Sequence, residues 1–453
     1  MKNIDYLQIQ YFQSMKAFNS LIKGSVASLC LLLNFGYAQE YCEYNGSIID
    51  ARILTGNHAT HPDVIQRELD PSSVFQCDTW TSEKNRLESL GIFGEVTLHI
   101  KTLNIKSNQV TLEYQFKELK PWLPIPTLKK SDQVGWMIGP GIAAVNLLGR
   151  DIFVQAFYRT DVYPKLNTTD EFLIAVQSPY VGDIPFEYSF GWLKLNTMNL
   201  NKDFEENSHD IQFSGKYPIW SELQVVMLGN AYLVGRNADP RFARSEGTSK
   251  SLGMGAGLAW DSRDNLTNPR GGFYNEVSFT KLGGKFLQGN ESDFSETLWD
   301  FQAYQSFNKH IFLSVNLLRW RNGKVPFYET FETGGANSFR AWLPGPNHSG
   351  ESELLLNLEY RYELVPKTSK MIPYIDQSFY WGLQPVLGYE IINLWSQKSQ
   401  GNEIAQAYYG GVHILLPALN RLRVEFGSEV SRLEIVTQIG LFEKSETSRW
   451  RIR

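Results

Sequence analysis

The chain of 453 residues has only three cysteines and seven histidines, and no Cys-x-x-Cys or His-Glu-x-x-His spacing occurs. Zinc and related metals need clustered thiolate, imidazole and carboxylate ligands, so neither a metal nor any other cofactor is expected. Basic residues are also short: 43 Lys and Arg against 48 Asp and Glu leave a net charge of −5. Such a chain has no electropositive field for nucleic acid. Beyond the N-terminus no apolar run reaches about 18 residues, which excludes a helical membrane protein. Charged residues make up 20%, below the globular norm of about 25%, and the mean hydropathy is −0.29. Aromatics are plentiful, with 22 Tyr, 27 Phe and 12 Trp. A transmembrane β-barrel gives this profile, because outward apolar and inward polar residues alternate and the average stays polar. A soluble all-β protein fits the same totals.

Residues 1–38 read as an export signal. Translation from Met15 would place Lys16 and Lys23 before an apolar stretch, Ser25 to Phe35. Gly36-Tyr37-Ala38 then supplies small residues for cleavage, leaving Gln39 first. Cys30 leaves with this segment. Cys42 and Cys77 remain in a compartment that permits disulfides, and both a bridge between them and two free thiols fit. Cys42 follows Gln39-Glu40-Tyr41, which is not a lipoprotein signal.

Residues 46–119 predict a compact α+β unit. Ser47 to Thr55 alternates as a strand, and Gly56-Asn57 ends it. Thr60 is placed to cap a helix with Pro62 in its first turn and Val64, Ile65 and Leu69 on one face. A second helix is expected from Thr81 to Leu90, stopped by Gly91. Strands follow over Glu95 to Ile100 and Gln109 to Phe116, the latter alternating Val110, Leu112, Tyr114 and Phe116 with polar residues. The order is β-α-α-β-β. Ile53-Leu54-Thr55-Gly56-Asn57, Val64 to Leu69 and Leu87-Glu88-Ser89-Leu90-Gly91-Ile92-Phe93 stand in the order and spacing of a POTRA domain, which this segment resembles. The resemblance implies a periplasmic domain whose sheet edge can add a strand from a client protein. A simple plug or spacer is the rival reading.

Residues 120–134, with Pro121, Pro124 and Pro126, are expected to form a stiff linker. From 135 to 442 the sequence repeats strands of about ten residues. Leu252, Met254, Ala256, Leu258 and Trp260 alternate with Gly253, Gly255, Gly257 and Ala259. Leu354, Leu356, Leu358, Tyr360 and Tyr362 alternate with Asn357, Glu359 and Arg361. Leu422, Val424 and Phe426 oppose Arg421, Arg423 and Glu425. Charged or glycine faces opposite apolar ones fit a closed barrel with a wet interior, with sixteen strands expected for this length. A two-sheet sandwich has the same alternation. Trp260, Trp342, Trp395 and Phe442 suit interfacial girdles. Residues 443–453 form a polar tail.

The most distinctive segment is Gly255 to Asn265 with Asn268-Pro269-Arg270-Gly271-Gly272. It holds Asp261, Arg263, Asp264, Pro269 and Gly271 in a hairpin, where Asp264 and Asn265 tolerate turns, Pro269 pre-sets φ and the glycines allow positive φ. This segment resembles the barrel of the outer-membrane assembly-factor, or bacterial surface-antigen, superfamily: the BamA/TamA-like proteins and two-partner secretion transporters. Phe339-Arg340-Ala341-Trp342 resembles that family's long loop folded into the lumen, with Ala341 where the family has Gly. The family's loop arginine meets an acid in a barrel strand. The matching run here is Glu390-Ile391-Ile392-Asn393-Leu394-Trp395, so the resemblance implies a pairing of Arg340 with Glu390. Leu433 to Phe442 resembles the family's closing strand.

The fold class expected is therefore mainly β, a transmembrane antiparallel barrel preceded by one small α+β domain. The resemblance implies insertion, assembly or translocation of other proteins at the bacterial outer membrane. Outer-membrane lipid, unfolded or exported clients met through the POTRA domain and the barrel seam, and accessory lipoproteins would be the partners, with no nucleic acid. The alternative is a passive channel or surface antigen that keeps the fold. No motif organises an enzyme site, and His348, in a Pro/Gly-rich loop, is expected to be solvated.

Overall fold

The computed structural model describes residues 41–440 apart from 105–107, 120–121, 132–134, 164–168, 183, 200–203, 236–240, 242–246, 266–267, 284–291, 335–337, 343–347, 373–376, 397–401, 417–419 and 432–434. The export segment, Leu433, Leu441, Phe442 and the tail lie outside the described residues.

The N-terminal domain begins with β1 (Ile48–Thr55), followed by α1 (Pro62–Gln66), α2 (Cys77–Ser89), β2 (Phe93–Asn104) and β3 (Gln109–Glu118). β3 is central, parallel to β1 and antiparallel to β2. Trp80, Leu87, Phe93, Leu98, Leu112, Tyr114 and Phe116 are buried between the helices and one face of the sheet. Burial of these large apolar side chains is what holds so short a sheet together. Gly56, at φ +84°, closes on β3, since a Cβ there would lie 2.2 Å from the Phe116 carbonyl oxygen. Thr60 does not cap α1. The position before the helix is His61, which makes no side-chain cap, because the Thr60 hydroxyl accepts a hydrogen bond from Asn146 Nδ2 at 2.8 Å. α2 starts four residues earlier than the apolar spacing indicates.

The wall of the barrel consists of β4 (Trp122–Ser131), β5 (Gly135–Leu147), β6 (Ile152–Tyr163), β7 (Asp170–Ser178), β8 (Glu187–Asn199), β9 (Phe204–Pro218), β10 (Leu223–Gly235), β11 (Thr248–Asp261), β12 (Gly272–Gly283), β13 (Asp293–Phe307) and β14 (His310–Lys324), each antiparallel to the next. The two-residue strands β15 (Phe331–Glu332) and β16 (Ser349–Gly350) pair inside the long connection that follows. The wall resumes with β17 (Ser352–Tyr362), β18 (Val365–Ile372), β19 (Gln377–Trp395), β20 (Asn402–Leu416), β21 (Asn420–Glu429) and β22 (Ile435–Gly440), which closes on β4. β17 and β18 lie along successive stretches of the same neighbour, β19. They act as one bulged strand, and the wall has sixteen positions. Alternation is as read from the sequence: Met254, Leu258, Leu358 and Phe426 face outward and exposed, while Ala259, Glu353, Glu359 and Glu425 are buried inward.

Within the stretch 120–134 expected as a linker, the described residues 122–131 are not one. Residues 122–131 are the first wall strand, paired with β5 from Trp122↔Ala144 to Ser131↔Gly135. Its prolines are tolerated because of where they point. Pro126 faces Pro140, and two prolines cannot exchange N–H···O bonds. That pair is therefore a non-hydrogen-bonded one, and Pro124, of the same parity, also turns its backbone polar groups away from β5 and toward β22. The edge that closes the barrel on β22 thus lacks two donors.

The N-terminal domain sits against the turns at one end. His61 N–H donates to Gly149 O at 2.9 Å, and Arg67 donates to Gly182 O at 2.9 Å. Because the strands alternate in direction, the turns at 219–222, 262–271 and 308–309 lie at that same end.

Candidate functional site

The connection from β14 to β17 folds into the lumen. A 3-10 turn at Phe327–Glu329 leads to the β15–β16 ladder, Phe331↔Gly350 and Glu332↔Ser349, and Thr333 N–H donates to His348 O at 2.9 Å. Between these strands lies the tip that carries Phe339, Arg340, Ala341 and Trp342, all buried.

The structure brings Arg340 and Glu390 together. Arg340 Nη1 meets Glu390 Oε1, and the backbone N–H of Arg340 donates to Glu390 Oε2 at 2.8 Å. One carboxylate thus fixes both the side chain and the backbone of the tip. Arg340 Nε donates to Glu425 Oε2 at 2.8 Å, and Nη2 lies 3.7 Å from Glu359 Oε2. The guanidinium also stacks 4.1 Å from the centre of the Tyr409 ring. Tyr409 in turn donates to Glu359 at 2.6 Å and accepts from Asn357 Nδ2 at 3.0 Å. Gly388 gives that ring its place, since a Cβ there would lie 2.1 Å from the ring. A charge buried this deeply is stable only when its partners are in place, and a planar five-donor fork suits three carboxylates where a lysine would not.

The tip also has apolar anchors. Phe339 and Trp342 pack on Leu355, Ile392, Leu394, Ala405 and Ala407 of the inner wall, with their rings 4.6 Å apart. Trp342 Nε1 donates to Glu429 at 3.0 Å. Trp342 therefore belongs to the lumen and not to a girdle, because its apolar partners are on the inner wall. His348 is not solvated: its ring stacks 3.6 Å from Trp342, and its Nδ1 lies 2.7 Å from Glu403 Oε1. Ala341 needs no positive φ. The close approach falls on the wall at Gly427, where a Cβ would lie 2.5 Å from the Arg340 carbonyl oxygen.

A second anchor has no counterpart in the sequence reading. The Phe331 ring lies between Arg319, at 3.9 Å, and Arg321, at 3.7 Å. Arg319 Nε donates to Glu353 at 2.6 Å and Arg321 Nε to Glu296 at 2.7 Å. Arg321 also donates to the Glu329 carbonyl. Its only trace in the sequence is Arg-Trp-Arg at the end of β14, two inward cations on either side of an outward tryptophan. Glu425 and Glu359 were likewise legible as inward residues but not as partners of the loop, and nothing in the sequence singles out Tyr409.

The turn motif lies at the end of the barrel that carries the domain. Arg263 holds Asp261 through two bonds, Nε at 2.8 Å and Nη2 at 2.6 Å. Asp264 accepts from the backbone of Arg270 at 2.9 Å. The residue with positive φ is Gly272, at +89°, not Gly271. Asn268, next to Pro269, reaches the far wall, where its Oδ1 lies 3.3 Å from Gln384 Nε2 and 3.2 Å from Arg421 Nη2.

Glu359, His413 and Glu425 offer ligand atoms within 4.8 Å of one another. Arg340 already meets both carboxylates and Arg361 pairs with Glu359, so that charge is balanced by guanidinium groups. Cys77 is disulfide-bonded; the Cys42 side chain lies outside the described residues.

The geometry is a barrel whose lumen holds its own loop by ionic and aromatic contacts, with a small domain across one mouth. Comparison with known proteins places it. Residues 176–436 match the model of the Omp85 superfamily domain. Two solved structures of CdiB are similar at 13% identity. That from Escherichia coli has a TM-score of 0.56, with 87% of this chain and 74% of that one covered; that from Acinetobacter baumannii has 0.54, with 86% and 73% covered. BamA from Haemophilus ducreyi lacking POTRA domains 1-3 is also similar, at 13% identity and TM-score 0.49, with 87% and 83% covered. At this identity the likeness to the two CdiB structures shows the fold.

Proposed function

The chain belongs to the Omp85 superfamily, and from that premise we propose that it inserts, assembles or translocates other proteins at the bacterial outer membrane. The N-terminal domain is a POTRA domain in the periplasm, and the end of the barrel that carries it faces the same way. The observation that carries this reading is the closing seam. β4 offers β22 an edge without donors at Pro124 and Pro126. Each absent ladder bond removes about 1 kcal/mol of net pairing. Such a seam parts at less cost than a fully bonded one, and a parted edge offers unpaired N–H and C=O groups to an incoming client strand. The client first meets the domain, whose sheet has β1 and β2 as its edges. Arg340 and its three carboxylates hold the loop inside while the seam opens. No nucleophile or acid–base pair is needed.

Depletion of the protein in its host, with the outer-membrane proteome quantified, tests this. A fall in other barrels or exported proteins without a fall in their transcripts is expected and names the clients. An unchanged proteome overturns the proposal in favour of a passive channel or surface antigen.

A further inference from the structure

The outer surface of the barrel carries a cleft of about 520 Å³, lined by Arg270, Asn308, Lys309, His310, Tyr362, Glu363 and Pro366. It lies where β13 turns into β14 through Asn308-Lys309, at the end that carries the domain. Two bonds build it. Glu363 N–H donates to Lys309 O at 2.8 Å, tying the turn to the foot of β17. Arg270 Nη1 pairs with Glu363 at 2.7 Å, and Nη2 donates to Asn308 O. Arg270 and Glu363 offset each other's charge, and exposed Lys309, with no ion pair among the described residues, leaves the cleft net positive. His310 Nδ1 lies 2.7 Å from the Tyr360 hydroxyl, and its ring 5.2 Å from that of Tyr362. Beside the cleft the surface turns apolar, with Phe307 57% exposed, Phe312 51% and Leu364 51%.

Cations with aromatic rings at the edge of an apolar belt match the level at which lipid headgroups sit. We propose that this cleft binds the phosphate of an anionic phospholipid headgroup in the membrane leaflet on the domain's side. The assignment rests on the reading of the barrel as an outer-membrane protein with that end in the periplasm. Lys309 and the Tyr362 hydroxyl donate to the phosphate, and the acyl chains lie along Phe307, Phe312 and Leu364. A zwitterionic headgroup is disfavoured because its ammonium would meet Lys309.

The full chain, purified in non-ionic detergent, is offered phosphatidylglycerol and phosphatidylethanolamine of matched chains, and retained lipid is read by native mass spectrometry. Wild type should retain phosphatidylglycerol about fivefold over phosphatidylethanolamine, the preference one interfacial lysine supplies. Lys309→Glu should abolish that preference. Lys281→Glu, at the opposite end and paired with Asp293, should keep it. Equal retention of both lipids by wild type, or an unchanged preference in Lys309→Glu, overturns the proposal. Displacement of phosphatidylglycerol by inorganic phosphate overturns the lipid source and makes the site one for a free anion. Retention is read on isolated protein, so its failure leaves the assembly reading standing, and an unchanged proteome on depletion leaves the lipid site standing.

Discussion

Gly427 of β21 and Arg340 at the tip of the lumen loop meet backbone to backbone. A Cβ on Gly427 would lie 2.5 Å from the Arg340 carbonyl oxygen, 2.6 Å from its carbon and 2.8 Å from Ala341 N. All three are backbone atoms, so no rotamer change relieves the clash. Gly427→Ala should lift the tip off the wall at a cost of about 1–3 kcal/mol. Limited proteolysis within 325–351 should accelerate while the barrel stays folded. Gly229→Ala, whose Cβ would meet only Phe213 Cβ at 3.7 Å, should leave digestion unchanged. Equal digestion of wild type and Gly427→Ala would show that the tip is held elsewhere.

The ion cluster around Arg340 makes a second, unequal prediction. Removing the guanidinium leaves Glu359, Glu390 and Glu425 facing one another; removing Glu390 leaves Arg340 two carboxylates. Arg340→Ala should therefore lower stability by about 3–5 kcal/mol, the loss expected for a broken buried pair, and Glu390→Gln by less. Arg340→Lys should not rescue, because one ammonium cannot reach three acceptors. The Arg340→Ala/Glu390→Ala double variant should be no worse than Arg340→Ala alone in thermal unfolding. Additive losses would mean that the two residues act independently.

How far these contacts were legible follows from their chemistry. Alternation gave β11, β17 and β21 their inner and outer faces, because a barrel strand repeats one rule along its whole length. Arg340 and Glu390 were legible together because each stands in a short motif. Glu425 carries no motif, and only closure of the barrel brings it to Arg340 Nε across 85 residues of chain. Pro124 and Pro126 read as a linker because proline is excluded from central strands. They are allowed here because their missing donors face the seam, which no local pattern reveals. Trp342 read as a girdle residue for a related reason: the sequence shows an aromatic, and only the fold shows which side of the wall it packs on.

Phe331 between Arg319 and Arg321 gives a third test. Two guanidinium groups on one ring contribute about 1–2 kcal/mol beyond apolar burial. Phe331→Leu keeps most of the apolar volume and removes the ring, so the loss in stability should be of that size. It should also be non-additive with Arg319→Met, since the two act on one contact. The measurement is a thermal-unfolding cycle on the detergent-solubilised protein. A Phe331→Leu variant as stable as wild type would reduce the clasp to ordinary packing.

The seat of the N-terminal domain should be sensitive to pH, and the sign can be worked out. Asp151 is buried in the turn at 148–151; burial, and then the neighbouring Glu68 carboxylate of the domain, push its pKa well above the ordinary value. Glu68 is raised as well, by burial, against the lowering effects of Arg86, the Tyr180 hydroxyl and Arg67. Arg67 also stacks 4.3 Å from the Tyr180 ring. Both carboxyls bind protons more tightly when the domain is docked than when it is apart. Their contribution to docking is then fully present below the ordinary carboxyl range and is lost as pH rises through the elevated values. Asp151→Asn removes one charge, and asparagine also suits the positive φ of 56° at this position. The variant should dock more firmly than wild type at neutral pH, by on the order of 1 kcal/mol, and the advantage should vanish in acid. Hydrogen exchange of α1 in the full chain, at pH 7 and pH 4, reads this directly. A variant advantage that persists unchanged at pH 4 would assign the gain to the turn's backbone and remove the carboxyl pair from the account.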